Sequence, residues 1–588
     1  MLEAAAGEVV KVRGLSVRKL RDQYNDFDGA KSSEMEEMRT ARHYYHGDQW
    51  TKEEIAVLKA RRQPVVTSNR VARKINAIVG LVDRSRQDPK AYARTPKQEA
   101  GADVATESLR YAFDRVDWET VSSDVARTGA INGVGAVEMF LEPGDQGDQE
   151  VGLLSVEADS FFYDPRSFRP DFSDARFMGV VKWLDIEDAV DMFPDKEEEL
   201  RALLSSGGWP ESSQQQDREK SWVNVTAKQV RVVEHWYLRS GEWQWCFYSG
   251  DVELSRGLSE FHDERGQTIC KFIAFSANVD HDGDRYGFVR NLKSPQDEIN
   301  ARRSKALHQV NTRRVIASQD AVLDVEAARK EWARPDGWVV VNRLDGIQPD
   351  DASRQADLSA QLQFLEESKA EIENMGFNPA LIGTGTDKLS GKAIQLQQQA
   401  GIAELGPYIL AYRGWKLRVY RAVWNAIQQY WTAERWVRVT DDMGLAQFIQ
   451  VNGMQMDPYG MPALVNHLGS LDVDIILDEG PDTITLQQST EAALAALAQN
   501  GVPVPPQAII KMTDMPAKDK AEILAYFDKQ QQGDPMAGQK AALEMENAKA
   551  TIGKTKAEAL DKFASASQKM GQAFNPQPPV QQQGQLPF

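Results

Sequence analysis

Two charged helices of opposite sign, separated by a short insertion, constrain the fold of this chain more than any other feature. The sequence predicts helices over residues 294–315 and 353–375. The first helix carries five basic residues against two acidic ones, and the second reverses this ratio. Each has only a narrow apolar stripe, so neither buries enough surface to be stable alone. We therefore expect the two helices to pair antiparallel, with residues 317–351 as a compact α+β insertion between them.

Two interpretations of this helical pair remain open. It is either an ordinary hairpin with solvated charges, or a repeated unit in which the basic helix of one copy faces the acidic helix of the next copy. Residues 294–297 are typical of a capping box, with Pro295 predicted as the first helical residue. Within the insertion, the residue pattern predicts a strand over 338–341 and a turn at Asp345-Gly346.

The rest of the chain is predicted to mix helices with short strands. The expected helices lie at 15–62, 71–82, 97–113, 120–128, 484–500, 505–529 and 536–567. The expected strands lie at 136–141, 230–238, 242–248, 268–275, 436–440 and 471–477. A long helix from Ser390 to Trp431 is expected to kink at Gly401, Gly406 and Pro407, because glycine and proline interrupt helical hydrogen bonding.

The charge balance limits how this chain can meet nucleic acid. Its 588 residues carry a formal net charge of −18. Proteins that hold DNA tightly by neutralising phosphates usually have a basic surplus. The acidic balance therefore argues against tight, static DNA binding, although it allows a conduit through which DNA slides. The N-terminus lacks a signal-peptide pattern, and no apolar run approaches the roughly 20 residues of a membrane span, so we expect no membrane association.

The sequence contains partial matches to catalytic and metal-binding motifs, but their residue spacing does not fit these motifs. Residues 383–392 resemble a phosphate-binding loop, but the glycines are wrongly spaced and Ala393 replaces the hydroxyl that would hold Mg²⁺. Residues 280–284 lack the glycine and glutamate positions of a calcium loop, which favours a surface turn. His43 and His46 lack two further zinc ligands, which favours a packed aromatic corner. We expect no catalytic residue, no metal and no cofactor.

Several residues with reactive or stacking side chains are expected in the core instead. Cys246 and Cys270 are too few for a disulfide framework and are predicted to be buried thiols. His235 is predicted to be a strand residue. The aromatic residues of the long helix follow helical spacing, which favours core packing over base stacking. These are Tyr408, Tyr412, Trp415, Tyr420, Trp424, Tyr430 and Trp431.

Three stretches carry a resemblance to a known family. The first comprises residues 44–50 and 62–69 with the helix that follows, the second runs over 285–300, and the third over 378–393. In their order and spacing, these stretches resemble the portal proteins of short-tailed bacteriophages across most of residues 40–435. Beyond residue 480, the chain resembles the family only in its helical, glutamine-rich character.

The resemblance implies a portal fold that is mainly α, with an α+β wing and clip, and that assembles as a dodecameric ring. The implied parts are the wing (1–292), a first stem helix (293–316), the clip (317–351), a second stem helix (352–375), the tunnel loop (376–389), the long kinked helix with further wing (390–480), and the crown with a C-terminal helical tail (481–588).

The implied function is that of a head–tail connector, not an enzyme, which forms the channel for genome packaging and ejection. The implied partners are further copies of the chain, the terminase large subunit, the head–tail adaptor, the major capsid and scaffolding proteins, and double-stranded DNA without sequence preference. The implied location is the portal vertex of the virion, after assembly in the host cytoplasm. The candidate DNA-channel residues are Arg302, Arg303, Lys305, Arg313, Arg314, Lys369, Thr384, Lys388 and Lys392.

Two alternatives to this function stay open at the level of sequence. One is another ring-forming phage connector or adaptor protein, with the same kind of helical channel. The other is a metal-dependent nuclease, which only the abundance of aspartate and glutamate suggests.

Overall fold

The structure is a computed structural model in which part of the chain is described. The described residues are 14–84, 87–96, 99–144, 148–205, 222–311, 315–318, 320–332, 334, 336–349, 351–374, 405–440, 446–456 and 462–479. The chain divides into two compact units, one of residues 1–437 and 450–479, the other of residues 438–449 and 480–588. Nearly all described residues belong to the first unit. The predicted helices beyond residue 480 and the predicted helical segment 390–404 lie outside the described residues.

The N-terminal region is helical, as predicted. Its helices are α1 (Val17–Ala30), α2 (Ser32–His46), α3 (Lys52–Ala60), α4 (Val71–Arg84), α5 (Glu99–Arg115) and α6 (Trp118–Asn132). The predicted stretch 15–62 is divided into three helices by local signals. Gly47 ends α2 in the left-handed conformation, with φ of 90°. Thr51 then starts α3 through a capping box with Glu54.

Two sheets form most of the β structure that follows. Their strands are β2 (Val134–Pro143), β3 (Gln149–Val156), β4 (Phe161–Tyr163), β5 (Phe177–Asp185), β6 (Val223–Asn224), β7 (Gln229–Arg239), β8 (Glu242–Ser249), β9 (Val252–Leu258) and β10 (Phe272–Ser276). The larger sheet has the order β4-β5-β7-β8-β9, with β6 beside β7, and the smaller has the order β10-β2-β3. Helices α7 (Ile186–Met192) and α8 (Glu197–Ser205) lie between β5 and β6 in the chain.

The predicted hairpin of residues 230–248 is confirmed. Strands β7 and β8 pair antiparallel and end on Arg239 opposite Glu242. Ser240 and Gly241 form the turn, with φ of 55° and 87°. Positive φ at both central residues is the geometry that matches the twist of the flanking strands. The sequence signal for this turn was therefore local and sufficient.

The charged helices and their insertion follow β10. Helix α9 spans Val289–Asn311 and helix α11 spans Asp351–Asn374. Between them lie β11 (Val315–Ala317), α10 (Val325–Trp332) and β12 (Ile347–Pro349), with β11 and β12 paired antiparallel. The predicted turn at residues 345–346 is present. The predicted strand at 338–341 is wrong for the isolated chain, because this segment pairs with no strand among the described residues.

The predicted start and end of the first charged helix are also corrected. Pro295 lies inside α9 instead of at its first position, because the helix begins at Val289. Val289 and Leu292 are each 2% exposed, so tertiary burial stabilises the additional turn. Pro295 has no N–H, which leaves one bond of that turn unmade. At the other end the helix stops at Asn311, and residues 315–317 form β11 instead.

A helix and short strands complete the described part of the chain. They are α12 (Gly406–Tyr430), β13 (Arg435–Thr440), β14 (Ala446–Val451), β15 (Gly453–Met456), β16 (Pro462–Val465) and β17 (Val473–Glu479). The predicted strands at 436–440 and 471–477 are thus confirmed. Strand β17 pairs antiparallel with β1 (Gln87–Ala93), which the sequence did not predict. Across the described ranges, no helix is both long and apolar enough to cross a membrane.

The predicted core residues are buried. On α12, Tyr408, Tyr412, Trp415, Tyr420 and Trp424 are each at most 3% exposed. Trp415 Nε1 donates a hydrogen bond to the Ile273 carbonyl over 2.8 Å, which joins α12 to β10. The expectation of core packing is therefore confirmed for these five residues. Helices and sheets mix in the described residues, which confirms an α and β fold with more sheet than "mainly α" implies.

The two thiols and the strand histidine are also buried as predicted. Cys246 and Cys270 are both free and buried, and burial raises the pKa of each thiol to about 12. His235 lies within β7 and is fully buried. Burial lowers the pKa of its imidazole to about 3, so the ring is neutral at physiological pH. These groups serve packing and offer no reactive site.

Candidate functional site

The two charged helices, α9 and α11, pack against each other as an antiparallel hairpin, called the helical hairpin below. Arg302 Nη1 donates a hydrogen bond to Gln361 Oε1 over 3.3 Å, and its guanidinium lies 4.5 Å from the centre of the Phe364 ring. One turn earlier on α9, Glu298 is hydrogen-bonded by Ser368, which lies one turn later on α11. Lower residue numbers on α9 thus contact higher residue numbers on α11, which confirms the predicted antiparallel pairing.

Each helix of the hairpin buries part of its apolar stripe. Ile299 and Ala306 are buried on α9, at 0% and 8% exposure. Leu365 and Ile372 are buried on α11, at 6% and 2% exposure. The predicted apolar stripes are therefore only partly buried, because their other members Leu307, Val310 and Leu362 are exposed. Burial of this kind, and not helix propensity, stabilises two helices of such high charge.

Replacing Ile299 with alanine is expected to lower the free energy of unfolding by about 2–4 kcal/mol, because the deletion leaves a cavity at a fully buried site. Leu307→Ala on the same helix is the matched control, since Leu307 is 38% exposed and loses little buried surface. Urea unfolding of the monomeric chain measures both variants. Equal midpoints for the two variants would contradict the packing described for α9.

Among the described residues, no ion pair joins α9 to α11. Arg302 pairs with Glu298 on α9, and this pairing is the main cause that lowers the pKa of Glu298 below its ordinary value. Lys369 pairs with Glu366 on α11, with 2.6 Å between Nζ and Oε1. The opposite charges of the two helices therefore do not neutralise each other through these residues. Apolar burial and the contacts of Arg302 join the helices instead.

The candidate channel residues on the hairpin differ in exposure. Arg303 and Lys305 are exposed on α9, and Arg303 Nη1 donates to Ser68 Oγ over 3.1 Å. The side chain of Arg302 is 23% exposed and stacks within the hairpin. Lys369 is half-buried beside its partner on α11. Arg303 and Lys305 are thus the described candidates whose charge is most open to solvent.

The remaining candidates are the predicted kink residues, Arg313 and Arg314, and the residues of the tunnel loop and its flanks. Gly406 and Pro407 are the first two residues of α12, and Leu405 precedes them as its N-terminal cap position. Proline is favoured in the first turn of a helix, so this position is physically reasonable. The kink in a longer helix stays a prediction. The candidates that lie outside the described residues are Arg313, Arg314, Thr384, Lys388, Lys392 and Gly401.

Three buried polar residues on α9, spaced four residues apart, anchor the hairpin to the N-terminal helices. They are Gln296, Asn300 and Ser304, and each is at most 1% exposed. Gln296 Nε2 donates to the Ser68 carbonyl over 2.8 Å, and Gln296 Oε1 accepts from the Arg70 amide over 3.0 Å. One glutamine side chain therefore satisfies two backbone groups of the segment that leads into α4.

The other two members of this anchor continue the same contact. Asn300 Oδ1 accepts from the Ser68 amide over 2.9 Å, and Asn300 Nδ2 donates to Gln49 Oε1 over 2.7 Å. Ser304 Oγ donates to the Pro64 carbonyl. Buried polar groups that are fully paired fix a single arrangement. The sequence analysis missed the anchor, although polar residues at helical spacing beside a narrow apolar stripe were its visible signal.

The far end of α11 is held by the same N-terminal region. Arg70 Nη1 pairs with Glu373 Oε1 over 2.5 Å, and Lys74 Nζ donates to the Glu373 carbonyl over 3.0 Å. Arg70 immediately precedes α4 and Lys74 lies in its first turn, whereas Glu373 lies in the last turn of α11. A helix C-terminus is stabilised by nearby cations. Both helices of the hairpin are therefore fastened to one place at this end.

A buried charged cluster fixes the loop that leads into α9. Glu34 of α2 accepts hydrogen bonds from the Tyr163 hydroxyl over 2.7 Å and from the Arg285 amide over 2.9 Å. Lys31 Nζ lies 3.6 Å from Glu34 and 2.7 Å from Asp284 Oδ1. Burial raises the pKa of Glu34, although these donors act in the opposite direction. Since Arg285 stands four residues before α9, the cluster sets where the hairpin begins.

The Arg285 side chain extends this cluster into an aromatic pocket. Its guanidinium lies 4.3 Å from the Tyr163 ring centre and 4.1 Å from the Phe172 ring centre. Its Nη2 donates to the Ser167 carbonyl over 3.1 Å and to the Ser167 hydroxyl over 3.0 Å. Stacking between two rings stabilises a buried guanidinium. The role of Arg285 is therefore to hold the loop in place.

The acidic loop at residues 280–284 forms the predicted surface turn. Asp280 Oδ1 accepts from the amides of Asp282 over 3.1 Å and Asp284 over 2.9 Å. Asp280 Oδ2 pairs with Arg290 Nη1 over 2.9 Å. Burial acts to raise the pKa of Asp280, but the hydrogen bond from Arg290 and these amides lower it overall. The carboxylate thus has a structural role at the entry to α9.

His43 and His46, the two histidines predicted at an aromatic corner, lie in the last turn of α2. The rings of Tyr45 and His46 meet edge to face, with 5.2 Å between their centres. His43 is exposed, and its Nδ1 lies 2.9 Å from Asp48 Oδ2. Both histidines are exposed, so the predicted aromatic corner is limited to the contact between His46 and Tyr45.

The sequence that forms this hairpin and its anchor has a match among known protein families. The sequence model of the phage P22-like portal proteins matches residues 21–242 and 238–574 of this chain. The chain belongs to the phage P22-like portal protein family. A curated relative is the portal protein of Helicobacter pylori bacteriophage KHP30. It is 20% identical over 438 residues, which are 73% of this chain and 69% of that portal protein.

Membership of the portal family confirms the resemblance and the function predicted from sequence. A portal protein is a structural connector of the phage virion, located at a vertex of the capsid. The family match favours neither the other connector proteins nor the nuclease that the sequence left open. The helical hairpin is the part of this portal that carries the described candidate residues Arg302, Arg303, Lys305 and Lys369.

Proposed function

We propose that copies of this portal assemble as a dodecameric ring in which the helical hairpin lines a channel for double-stranded DNA. The observation that carries this proposal is the exposure of Arg303 and Lys305 on α9, while Arg302 is engaged within the hairpin. The chain has 69 basic residues against 87 acidic ones, so exposed cations such as these stand in an acidic surrounding. Isolated cations in an acidic wall give weak, sequence-independent phosphate contacts that break easily, which suits a moving duplex.

The acidic helix supplies a complementary surface for ring assembly. Glu367 and Glu371 lie one turn apart on α11 and are exposed. Neither has an ion partner among the described residues. In a ring, α11 of one copy would face α9 of the next, so that opposite charges favour this head-to-tail arrangement over like-charge contacts. This is the repeated-unit interpretation that the sequence left open.

The remaining parts of the portal follow the same proposal. The clip (317–351) would dock the terminase large subunit during packaging and the head–tail adaptor afterwards. The wing (1–292 and 390–480) and the crown (481–588) would face the major capsid and scaffolding proteins and the packaged genome. The stem helices and the tunnel loop (376–389) would complete the channel. Assembly would take place in the host cytoplasm, before the virion is finished.

The test of the channel is charge reversal at the two exposed cations in infectious phage. For each ring formed, the double variant Arg303→Glu/Lys305→Glu should yield several-fold fewer DNA-filled heads than the unaltered portal, because the wall would repel phosphates. Averaged electron-microscope images count rings, and nuclease-protected DNA per head measures packaging.

The matched control is Arg18→Glu/Lys19→Glu, two adjacent exposed cations on α1 of the wing. It makes the same change in net charge away from the hairpin, so packaging should remain at the unaltered level. Normal DNA content in the hairpin variant would overturn the channel assignment. Images that show no ring with a central opening would overturn the assembly itself.

A further inference from the structure

The insertion between the charged helices contains a segment with the composition of a strand, but it pairs with no strand in the described part of the chain. Residues 338–341 are Trp-Val-Val-Val, and aromatic and β-branched residues are those most enriched in strands. Their burial alternates, with Trp338 and Val340 exposed and Val339 and Val341 half-buried. This period of two is that of a strand with one covered and one open face. The segment thus has the composition and the alternating burial of a strand.

The main chain of this segment is also open. Among the described residues, no hydrogen bond reaches the amides or carbonyls of Val339, Val340 or Val341. The Asn342 amide does bind the Ala321 carbonyl over 2.8 Å, which marks where the segment rejoins the insertion. Backbone donors and acceptors are obligatory hydrogen-bonding groups. A run of apolar residues with free main-chain groups is therefore a template for pairing with another strand.

The apolar surface around this segment is large for a module of this size. Trp338 is 83% exposed, Leu344 83%, Leu323 81% and Val340 68%. In the described part of residues 315–349, Ala321 is the only fully buried side chain. Such a module cannot fold around its own core, because it buries too little apolar surface. A permanent protein partner that covers it would stabilise the module itself.

The chemistry of the insertion points to a second copy of this chain as that partner. Residues 315–349 contain six acidic and four basic residues, so the surface lacks the basic surplus that nucleic acid needs. The same module also carries the two-stranded ribbon β11–β12, which pairs with no further strand among the described residues. Each module thus offers one free strand and one free ribbon edge. A repeat in which every copy gives a strand and receives one is heterologous and closes in a ring.

We propose that Trp338–Val341 pairs as a β-strand with an outer edge of the β11–β12 ribbon of a neighbouring copy. The inference rests on the ring proposed above and names the contact that links its clips. Strand addition of this kind supplies main-chain hydrogen bonds, while Trp338 and Val340 are covered by the adjoining module. An always-present neighbour explains why a portal chain tolerates so exposed an apolar segment.

Hydrogen–deuterium exchange on the purified full chain tests this directly, with no terminase or adaptor present. In rings, the amides of residues 339–341 should exchange at least about tenfold more slowly than in monomers, since each paired amide must open before it exchanges. Exchange at the same rate in rings and monomers would overturn the strand, although the ring itself would stand. Failure to form rings at all would instead overturn the proposed assembly, and the strand with it.

A pair of variants separates strand pairing from side-chain effects. Val340→Pro removes an amide that is free in the described chain, so the monomer should fold while ring yield falls several-fold. Val340→Thr keeps a β-branched residue and the amide, and should form rings at the unaltered level. Native mass spectrometry measures ring yield, and circular dichroism checks the monomer. The proposal would be overturned if Val340→Pro formed rings at the unaltered yield. It would also be overturned if the amides of residues 339–341 were protected from exchange only after terminase or adaptor was added.

Discussion

Replacing Glu34 with alanine is expected to lower the free energy of unfolding by about 3–5 kcal/mol, because it breaks a buried charged cluster on one side. Glu34 is 1% exposed and is the acceptor for Tyr163 and for the Arg285 amide. Without its carboxylate, both donors lose their acceptor in a site that water does not reach. Lys31 keeps Asp284 as a partner, which limits the loss. Urea unfolding of the monomeric chain measures the difference.

Two further substitutions make the Glu34 result specific. Glu36→Ala lies on the same helix with its side chain 74% exposed, and should change stability by no more than about 0.5 kcal/mol. Glu34→Gln retains an acceptor oxygen and should lose less than Glu34→Ala. If Glu34→Ala and Glu36→Ala unfold alike, the cluster does not hold α2 to the loop before α9.

The pH dependence of Glu34 has a definite sign. Burial raises the pKa of Glu34 in the folded chain above its unfolded value, despite the donors around it. A group shifted in this direction contributes stability that is present below the unfolded pKa and is lost as pH rises through the folded pKa. Glu34→Gln cannot ionise, so it should lack this part of the pH dependence. Unfolding curves of both proteins across the acidic range compare the two slopes.

The helical hairpin could be predicted because its signals are local. The charges, the apolar spacing and the small insertion all lie within one stretch of chain, and antiparallel pairing is the simplest way to bury both stripes. The role of Arg302 was less predictable. Its contact with Phe364 depends on the register between α9 and α11, and residue spacing along one helix does not determine that register. A cation predicted for the channel is therefore stacked within the hairpin.

The missed features of this portal depend on residues that are far apart in sequence. Strand β1 contains Pro89, a poor strand residue by local propensity, yet it pairs with Leu477 of β17. The anchor at Asn300 depends on Gln49 in the same way. The opposite error occurred at residues 338–341, where propensity predicted a strand that the isolated chain does not pair. Strand formation requires a partner as well as suitable residues.

Replacing Lys271 with methionine is expected to lower the free energy of unfolding at pH 7 by about 3–5 kcal/mol, because it leaves two buried carboxylates without their ammonium. Lys271 is 9% exposed and pairs with Glu138 over 2.6 Å and with Glu234. Glu138 lies in β2 of the smaller sheet and Glu234 in β7 of the larger sheet. One ammonium therefore joins the smaller sheet to the larger sheet.

The neighbouring lysine provides the control for this substitution. Lys182 also pairs with Glu138, over 3.1 Å, but its side chain is 51% exposed. Lys182→Met should cost no more than about 1 kcal/mol, because solvent screens the lost pair and Lys271 remains in place. Similar losses for Lys182→Met and Lys271→Met would show that burial does not strengthen the network.

The pH dependence of stability distinguishes loss of the Lys271 charge from loss of its packing. In the unaltered portal, burial acts to raise the pKa of Glu138, but the ammonium groups of Lys271 and Lys182 outweigh it and lower that pKa. Glu138 thus contributes stability above its unfolded pKa, and this is lost as pH falls through the folded pKa. In Lys271→Met, one of the two carboxyls should bind a proton, since like charges oppose joint ionisation. The stability gap between the two proteins should therefore narrow from pH 7 to pH 5, whereas a pure packing defect would keep it constant.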